Sequence, residues 1–62
     1  MVGFVTASGT HYYINQTGRF FFTDKNPQPI SYTDLSALIG DNAYIRLIDG
    51  SVLRTSIVMA YF

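Results

Sequence analysis

The sequence contains no cysteine and no glutamate, and only 13% of its 62 residues are charged. Without cysteine the chain can form no disulfide and no thiolate metal site, which removes two of the usual ways of stabilising so small a domain. One histidine and four scattered aspartates are a poor set of metal ligands. We therefore expect no metal and no cofactor, and self-association is the remaining source of added stability.

Charge of either sign is also scarce. Four Lys/Arg residues balance four Asp residues, so the formal net charge is zero and exerts no long-range attraction on nucleic acid or anionic membranes. No apolar run approaches the ~20 residues of a membrane span, and no basic segment precedes an apolar run as in a signal peptide. We expect a cytoplasmic protein that does not bind membranes.

The length allows one domain, residues 1–62. A chain of this size buries only about 60% of the surface that its unfolded form exposes, so its core is marginal. Hydrophobic residues make up 48% of the chain, more than so small a core can enclose. This composition favours a homo-oligomer.

Short segments rich in aromatic and β-branched residues alternate with turn residues along the chain, which is typical of β-strands. A loop with two prolines, Lys25–Pro29, separates the first three segments from the rest. The five predicted strands are residues 2–7, 10–15, 19–24, 43–47 and 51–61.

One segment has helical spacing instead. Leu35, Leu38 and Ile39 fall at i, i+3 and i+4, a glycine follows, and Ser31 or Thr33 could cap the amino end. The predicted order is β-β-β-α-β-β. We therefore expect an all-β fold, a small five-stranded barrel of SH3-like or OB-like kind with one short helical turn.

The first hairpin carries apolar rings on both sides, and its loop length decides which of them face inward. A two-residue loop would mix polar and apolar side chains on both faces. A three-residue loop, Gln16–Gly18, with Gly18 in the left-handed conformation gives one apolar face. The predicted inner face is Tyr12, Ile14, Phe20 and Phe22, and the outer face is His11, Tyr13, Asn15, Arg19, Phe21 and Thr23.

The second hairpin follows the same logic. A three-residue loop, Ile48–Gly50, places Ile45 opposite Leu53 and keeps Arg54 out of the core, where an unpaired charge is costly. The predicted inner face is Ala43, Ile45, Leu47, Leu53, Ile57, Met59 and Tyr61, and the outer face is Tyr44, Arg46, Val52, Arg54 and Ser56.

The outward aromatic and basic side chains form the predicted binding surface. Rings beside arginines can stack bases and hold phosphates, and the same residue types are enriched in protein interfaces. Alternatively, the helix, the proline loop or a second copy of the chain covers them. The predicted surface is His11, Tyr13, Asn15, Arg19, Phe21, Tyr44, Arg46 and Arg54.

The final stretch, SIVMAYF, is apolar on both faces of the predicted last strand. If Ile57, Met59 and Tyr61 point inward, the alternate residues are left facing solvent. An apolar edge strand tends to pair with another chain. The predicted oligomer interface is Val58, Ala60 and Phe62.

No residue pattern indicates catalysis. His11 has no nucleophile or orienting partner placed by the sequence, and the aspartates lie in turns and at element ends, where carboxylates bond nearby amides. We expect a non-catalytic binding module, a homo-oligomer that acts through protein contacts as an accessory, inhibitor or assembly factor of phage or plasmid type. The alternative is a single-stranded nucleic-acid-binding barrel.

Overall fold

The computed structural model describes residues 2–62 as β-strands joined by turns and short loops, with no helix in that range. The all-β prediction is confirmed. Six strands are present rather than five: β1 Gly3–Thr6, β2 His11–Asn15, β3 Phe20–Thr23, β4 Ile30–Ser36, β5 Asn42–Leu47 and β6 Val52–Tyr61.

The six strands form a ring. Each strand pairs antiparallel with the next one along the chain, and β6 returns to pair with β1. This consecutive order differs from the Greek-key order of an OB-like barrel. Opposite points of the ring are three strands apart, so the outer faces of β2 and β5 lie on opposite sides of the molecule.

The predicted helical turn is wrong, because that segment is largely strand β4. A helix of about seven residues is marginal in water and depends on tertiary packing. As a strand, the segment pairs with β5 and places Tyr32 in the core with 8% of its surface exposed. Leu35 also packs against the core. Closing the ring therefore outweighs the helical spacing of the leucines.

Strand β6 is long because it has two neighbours. Its first part, Val52 to Ile57, pairs with β5, and its last part, Val58 to Tyr61, pairs with β1. Register shifts occur in both pairings. The predicted apolar edge is thus an interior strand of the ring, paired on both sides along different halves of its length.

The core consists of two clusters of buried side chains. Tyr12 and Ile14 on β2 pack against both clusters and connect them. The Tyr12 ring stacks on Phe4 at 4.8 Å between centroids, and burial raises the pKa of its phenol above the ordinary value. The clusters are Phe4, Ala43 and Val58, and Phe21, Tyr32 and Ile45.

The register of the first hairpin differs by one residue from the prediction. Asn15 pairs with Phe20 and Ile14 with Phe21, so the loop has four residues rather than three. Phe21 is consequently a core residue, 1% exposed, and the prediction that it faces outward is wrong. Phe20 and Phe22, which were expected inside, lie on the opposite face of β3.

The conformation of the loop explains this shift. Arg19, with φ of 53°, takes the left-handed conformation that was expected at Gly18. The Asn15 side-chain oxygen accepts a hydrogen bond from the Gly18 N–H at 2.7 Å, which closes the turn one residue later. Because a strand alternates strictly between faces, one added loop residue turns every side chain of β3 over.

The register of the second hairpin is confirmed. Ile45 pairs with Leu53, and Gly50 has φ of 89° in a loop closed by the Leu47 N–H and the Ser51 carbonyl at 2.8 Å. Ala43 and Ile45 are buried, as expected. Along β6 the predicted faces fail: Leu53, Ile57, Met59 and Tyr61 are 39%, 44%, 58% and 42% exposed, whereas Thr55 and Val58 are buried.

Candidate binding surfaces

Aromatic side chains cover the outer surface of β2 and β3. Tyr13 and Phe22 are cross-strand partners whose rings stack at 5.1 Å between centroids with an interplanar angle of 16°. The Phe62 ring meets Tyr13 edge-on at 5.4 Å and lies 5.8 Å from His11. We call these four residues, His11, Tyr13, Phe22 and Phe62, the aromatic face.

Phe62 belongs to this face because the end of the chain is bonded to β1. Its N–H donates to the Gly3 carbonyl at 3.1 Å, and its carbonyl accepts from the Val2 N–H at 2.9 Å. Phe62 is 42% exposed, and the rest of its surface is covered by its own chain. Phe62 was predicted to contact a second copy, but only the exposed part of its ring is free to do so.

A polar pair borders the aromatic face. The His11 Nδ1 lies 3.6 Å from a carboxylate oxygen of Asp24, and the His11 N–H donates to the other oxygen at 3.1 Å. This backbone hydrogen bond, with a smaller contribution from the imidazole charge, lowers the pKa of Asp24 below its ordinary value. These contacts hold the start of β2 against the end of β3, which is a structural role for the pair.

A second face lies on the outside of β4, β5 and β6. Cross-strand pairing places Tyr44 beside Arg54 and Arg46 beside Val52, and these side chains are exposed, as predicted. The carboxylate-bearing Asp34 pairs with Arg46 from the other side. We call the outward residues of these strands the arginine face: Asp34, Ser36, Tyr44, Arg46, Val52 and Arg54.

The predicted binding surface is thus divided. His11 and Tyr13 lie on the aromatic face, and Tyr44, Arg46 and Arg54 lie on the arginine face, on the opposite side of the ring. The remaining residues belong to neither face: Phe21 is in the core, Asn15 caps the first hairpin loop, and Arg19 donates to the Thr33 carbonyl at 3.0 Å.

An exposed apolar patch is formed by the segment just before β5 and by the part of β6 that lies beside this segment. A bridge between Ile39 and Val58 sets the segment Leu38–Gly40 alongside residues 57–59. Hydrogen bonds from Gly40 N–H to Val58 O at 2.9 Å and from Val58 N–H to Asp41 O at 2.8 Å hold the segment there. We call the exposed side chains the apolar patch: Leu38, Ile39, Ile57 and Met59.

This patch corrects the predicted oligomer interface. Val58 is completely buried within the chain, so it cannot contact another copy, whereas Ala60 is exposed. Its neighbours Ile57 and Met59 are exposed instead, because the register shifts along β6 move the inward positions. The sequence signal was the double-sided apolar stretch SIVMAYF, which indicated an excess of apolar residues but not which of them face outward.

Comparison of the chain with protein-family models, curated proteins and solved structures found no match. Within residues 2–62, no three His or Asp side chains lie together as metal ligands would. That part of the chain also contains no helix that could cross a membrane. Function has to be inferred from the exposed faces themselves.

Proposed function

We propose that this chain is a non-catalytic, cytoplasmic binding module on a small SH3-like scaffold, and that it acts through protein contacts and associates with copies of itself. The apolar patch carries the proposal. Leu38, Ile39, Ile57 and Met59 are 61%, 56%, 44% and 58% exposed, and they lie on two segments that the Ile39–Val58 bridge sets side by side. Contiguous exposed apolar surface of this kind marks interaction sites in soluble proteins.

The energetics favour covering the patch. Fully burying one large aliphatic side chain contributes roughly 1.5–3 kcal/mol. A second copy presents the same four side chains, so a two-fold interface would bury the patch against itself. The chain carries few charges to keep copies apart, with 13% charged residues and zero net charge.

The solution mass tests self-association. The wild-type chain is expected to be at least a dimer at micromolar concentration, and its melting temperature should rise with concentration. Met59→Asp and Ile39→Asp place a carboxylate in the interface and should yield monomers. Ile48→Asp is the matched control, because Ile48 is 72% exposed in the β5–β6 loop outside the patch. If the wild-type chain is still a monomer at about 100 µM, far above the micromolar dissociation constant expected for the dimer, self-association is contradicted.

The arginine face supports a second candidate, single-stranded nucleic-acid binding. Tyr44 stands opposite Arg54, and Arg46 projects from the same face of β5, so one ring for stacking lies between two phosphate-binding groups. The predicted contribution of Phe21 is withdrawn because that ring is buried.

Salt dependence distinguishes the two candidates. With two phosphate contacts, binding of a labelled oligonucleotide should fall with a log–log salt slope of about −1.4, and Arg46→Gln or Arg54→Gln should halve it. Lys25→Gln changes the same charge in the proline loop, outside the arginine face, and serves as the control. No binding at about 20 mM salt, where screening is weak, would exclude nucleic acid.

A further inference from the structure

An open groove of about 530 Å³ runs along one side of β4. Its volume lies within the ~300–1,000 Å³ typical of ligand sites. One wall comes from the first hairpin, with Ile14, Gln16 and Arg19, and the other comes from residues 32–38. The groove is separate from the apolar patch except at Leu38, which borders both.

The groove exists because β3 and β4 separate. They pair only at Phe20 with Ser31 and at Phe21 with Ile30, and the Tyr32 N–H makes one last bond to the Arg19 carbonyl at 2.9 Å. Strand β4 continues to Ser36 and is paired there with β5 alone. The second half of β4 is therefore a strand edge within an otherwise paired ring.

Backbone groups on this edge are bonded to side chains in place of a strand. The Leu35 N–H donates to the carboxylate of the preceding Asp34 at 3.0 Å, and the Thr33 carbonyl accepts from the Arg19 guanidinium at 3.0 Å. The Leu47 N–H bonds to Ser51 at the start of β6, so by alternation along β5 the backbone groups of Ile45 also face β6, and the Leu35–Ile45 pair exchanges no hydrogen bonds. The Leu35 N–H thus points away from β5, toward the groove.

We propose that this groove binds an extended segment of a partner polypeptide, which adds a strand to the edge of β4 at residues 33–36. Main-chain hydrogen bonds to an exposed strand edge are an established way of binding peptides. The ligand strand would replace the two side-chain bonds at Leu35 and Thr33. The inference rests on the proposed protein-binding function but not on self-association.

The surroundings of the edge define the chemistry of the segment. Four residues at about 3.4 Å each make a segment of roughly 14 Å. Half-buried Ile14 and Ala37 and exposed Leu38 line the groove, so alternate ligand side chains should be apolar. Arg19 uses one guanidinium donor on Thr33 and has others free for a carboxylate near its end of the groove.

The shape of the groove favours a peptide over the equivalent edge of a second copy. The edge lies between the first hairpin loop and the segment after β4. A second copy would have to bring its own first hairpin loop and its own segment after β4 along with its edge to within the ~4.8 Å of strand pairing. An extended segment that protrudes from its own protein would bring neither.

The test uses a phage-displayed library of random ten-residue peptides, selected against the full chain. The tightest peptide is synthesised, and its contacts are mapped by amide chemical shifts and hydrogen exchange. Strand addition predicts at least tenfold slower exchange of the Leu35 amide in the complex. A proline scan of the peptide should show sensitivity at every second residue, because only alternate peptide N–H groups face β4. Failure to select a peptide, or shifts confined to another surface, would overturn the proposal.

Variants of two glutamines sharpen the result. Gln16→Trp narrows the groove and should weaken the peptide at least tenfold, whereas Gln28→Trp, an exposed residue of the proline loop, should leave its affinity unchanged. Thermal unfolding of both variants verifies that they fold. Met59→Asp should bind the peptide as the wild type does, which separates a failure of this proposal from a failure of self-association. Equal affinity of the two tryptophan variants would also overturn the groove as the site.

Discussion

The ring of Phe62 lies directly over Gly3. A β-carbon built on Gly3 would come within 2.6 Å of the Phe62 Cζ and would clash even more closely with the Tyr12 carbonyl oxygen. The glycine thus leaves the space in which the end of the chain packs against the sheet. Through this contact Phe62 joins Tyr13 and His11 on the aromatic face.

Gly3→Ala should destabilise the protein by about 1–3 kcal/mol or more, because the added methyl group meets backbone as well as the ring. Urea unfolding measures the loss, and the ring signals of Phe62 and Tyr13 should shift. In Gly9→Ala, where no atom lies within 4 Å of the new carbon, those signals should stay in place. Unchanged Phe62 signals in Gly3→Ala would contradict the contact.

The register of the first hairpin predicts that truncating Phe21 and truncating the adjacent Phe22 lower the stability by different amounts. Phe21→Ala removes a core side chain that is 1% exposed and should cost about 3–5 kcal/mol. Phe22→Ala removes a half-buried ring that stacks on Tyr13 and should cost clearly less. Urea midpoints of the two variants decide between this register and the three-residue loop, for which the order would be reversed.

The second hairpin loop requires a left-handed residue at Gly50, where φ is 89°. Gly50→Ala should lose about 1–2 kcal/mol, because a β-carbon is strained in this conformation. Gly50→Asn should lose less, since asparagine tolerates the left-handed region better than most residues. Nothing lies within 4 Å of the new carbon, so a steric clash cannot account for the loss. Equal stability of the alanine variant and the wild type would refute the loop assignment.

Two exposed carboxylates should make the free energy of unfolding depend on pH in the acid range. The His11 N–H lowers the pKa of Asp24, and the Ser51 hydroxyl and N–H lower the pKa of Asp49. A lowered folded-state pKa supplies stability above the unfolded value of about 3.9, which is lost as the pH falls through the folded value. The gap in urea midpoint between wild type and an Asp24→Asn, Asp49→Asn double variant should therefore narrow below about pH 4. A gap independent of pH would contradict this linkage.

The segment from Ser31 to Ile39 shows how tertiary structure can override a local pattern. Its leucine spacing fits a helix, and no sequence signal distinguishes that helix from a strand that must connect β3 to β5. Its two turns would bury little on their own, whereas the strand closes the ring and buries Tyr32. The groove beside β4, with its side-chain-bonded edge, follows from this strand and could not be predicted without it.

The sequence by itself determined the all-β class, the positions of five strands and the register of the second hairpin. Only one register of that hairpin keeps Arg54 out of the core, so the pattern has a single solution. The alternation of polar and apolar residues in the first hairpin favoured the three-residue loop, which would turn Phe20 and Phe22 inward, but in the observed register Phe21 faces inward instead. The loop bond from Gly18 to Asn15 and packing against Tyr12 and Ile14 select Phe21 for the core. Which apolar residues remain on the surface was decided in the same way, by strand pairings between parts of the chain far apart in sequence.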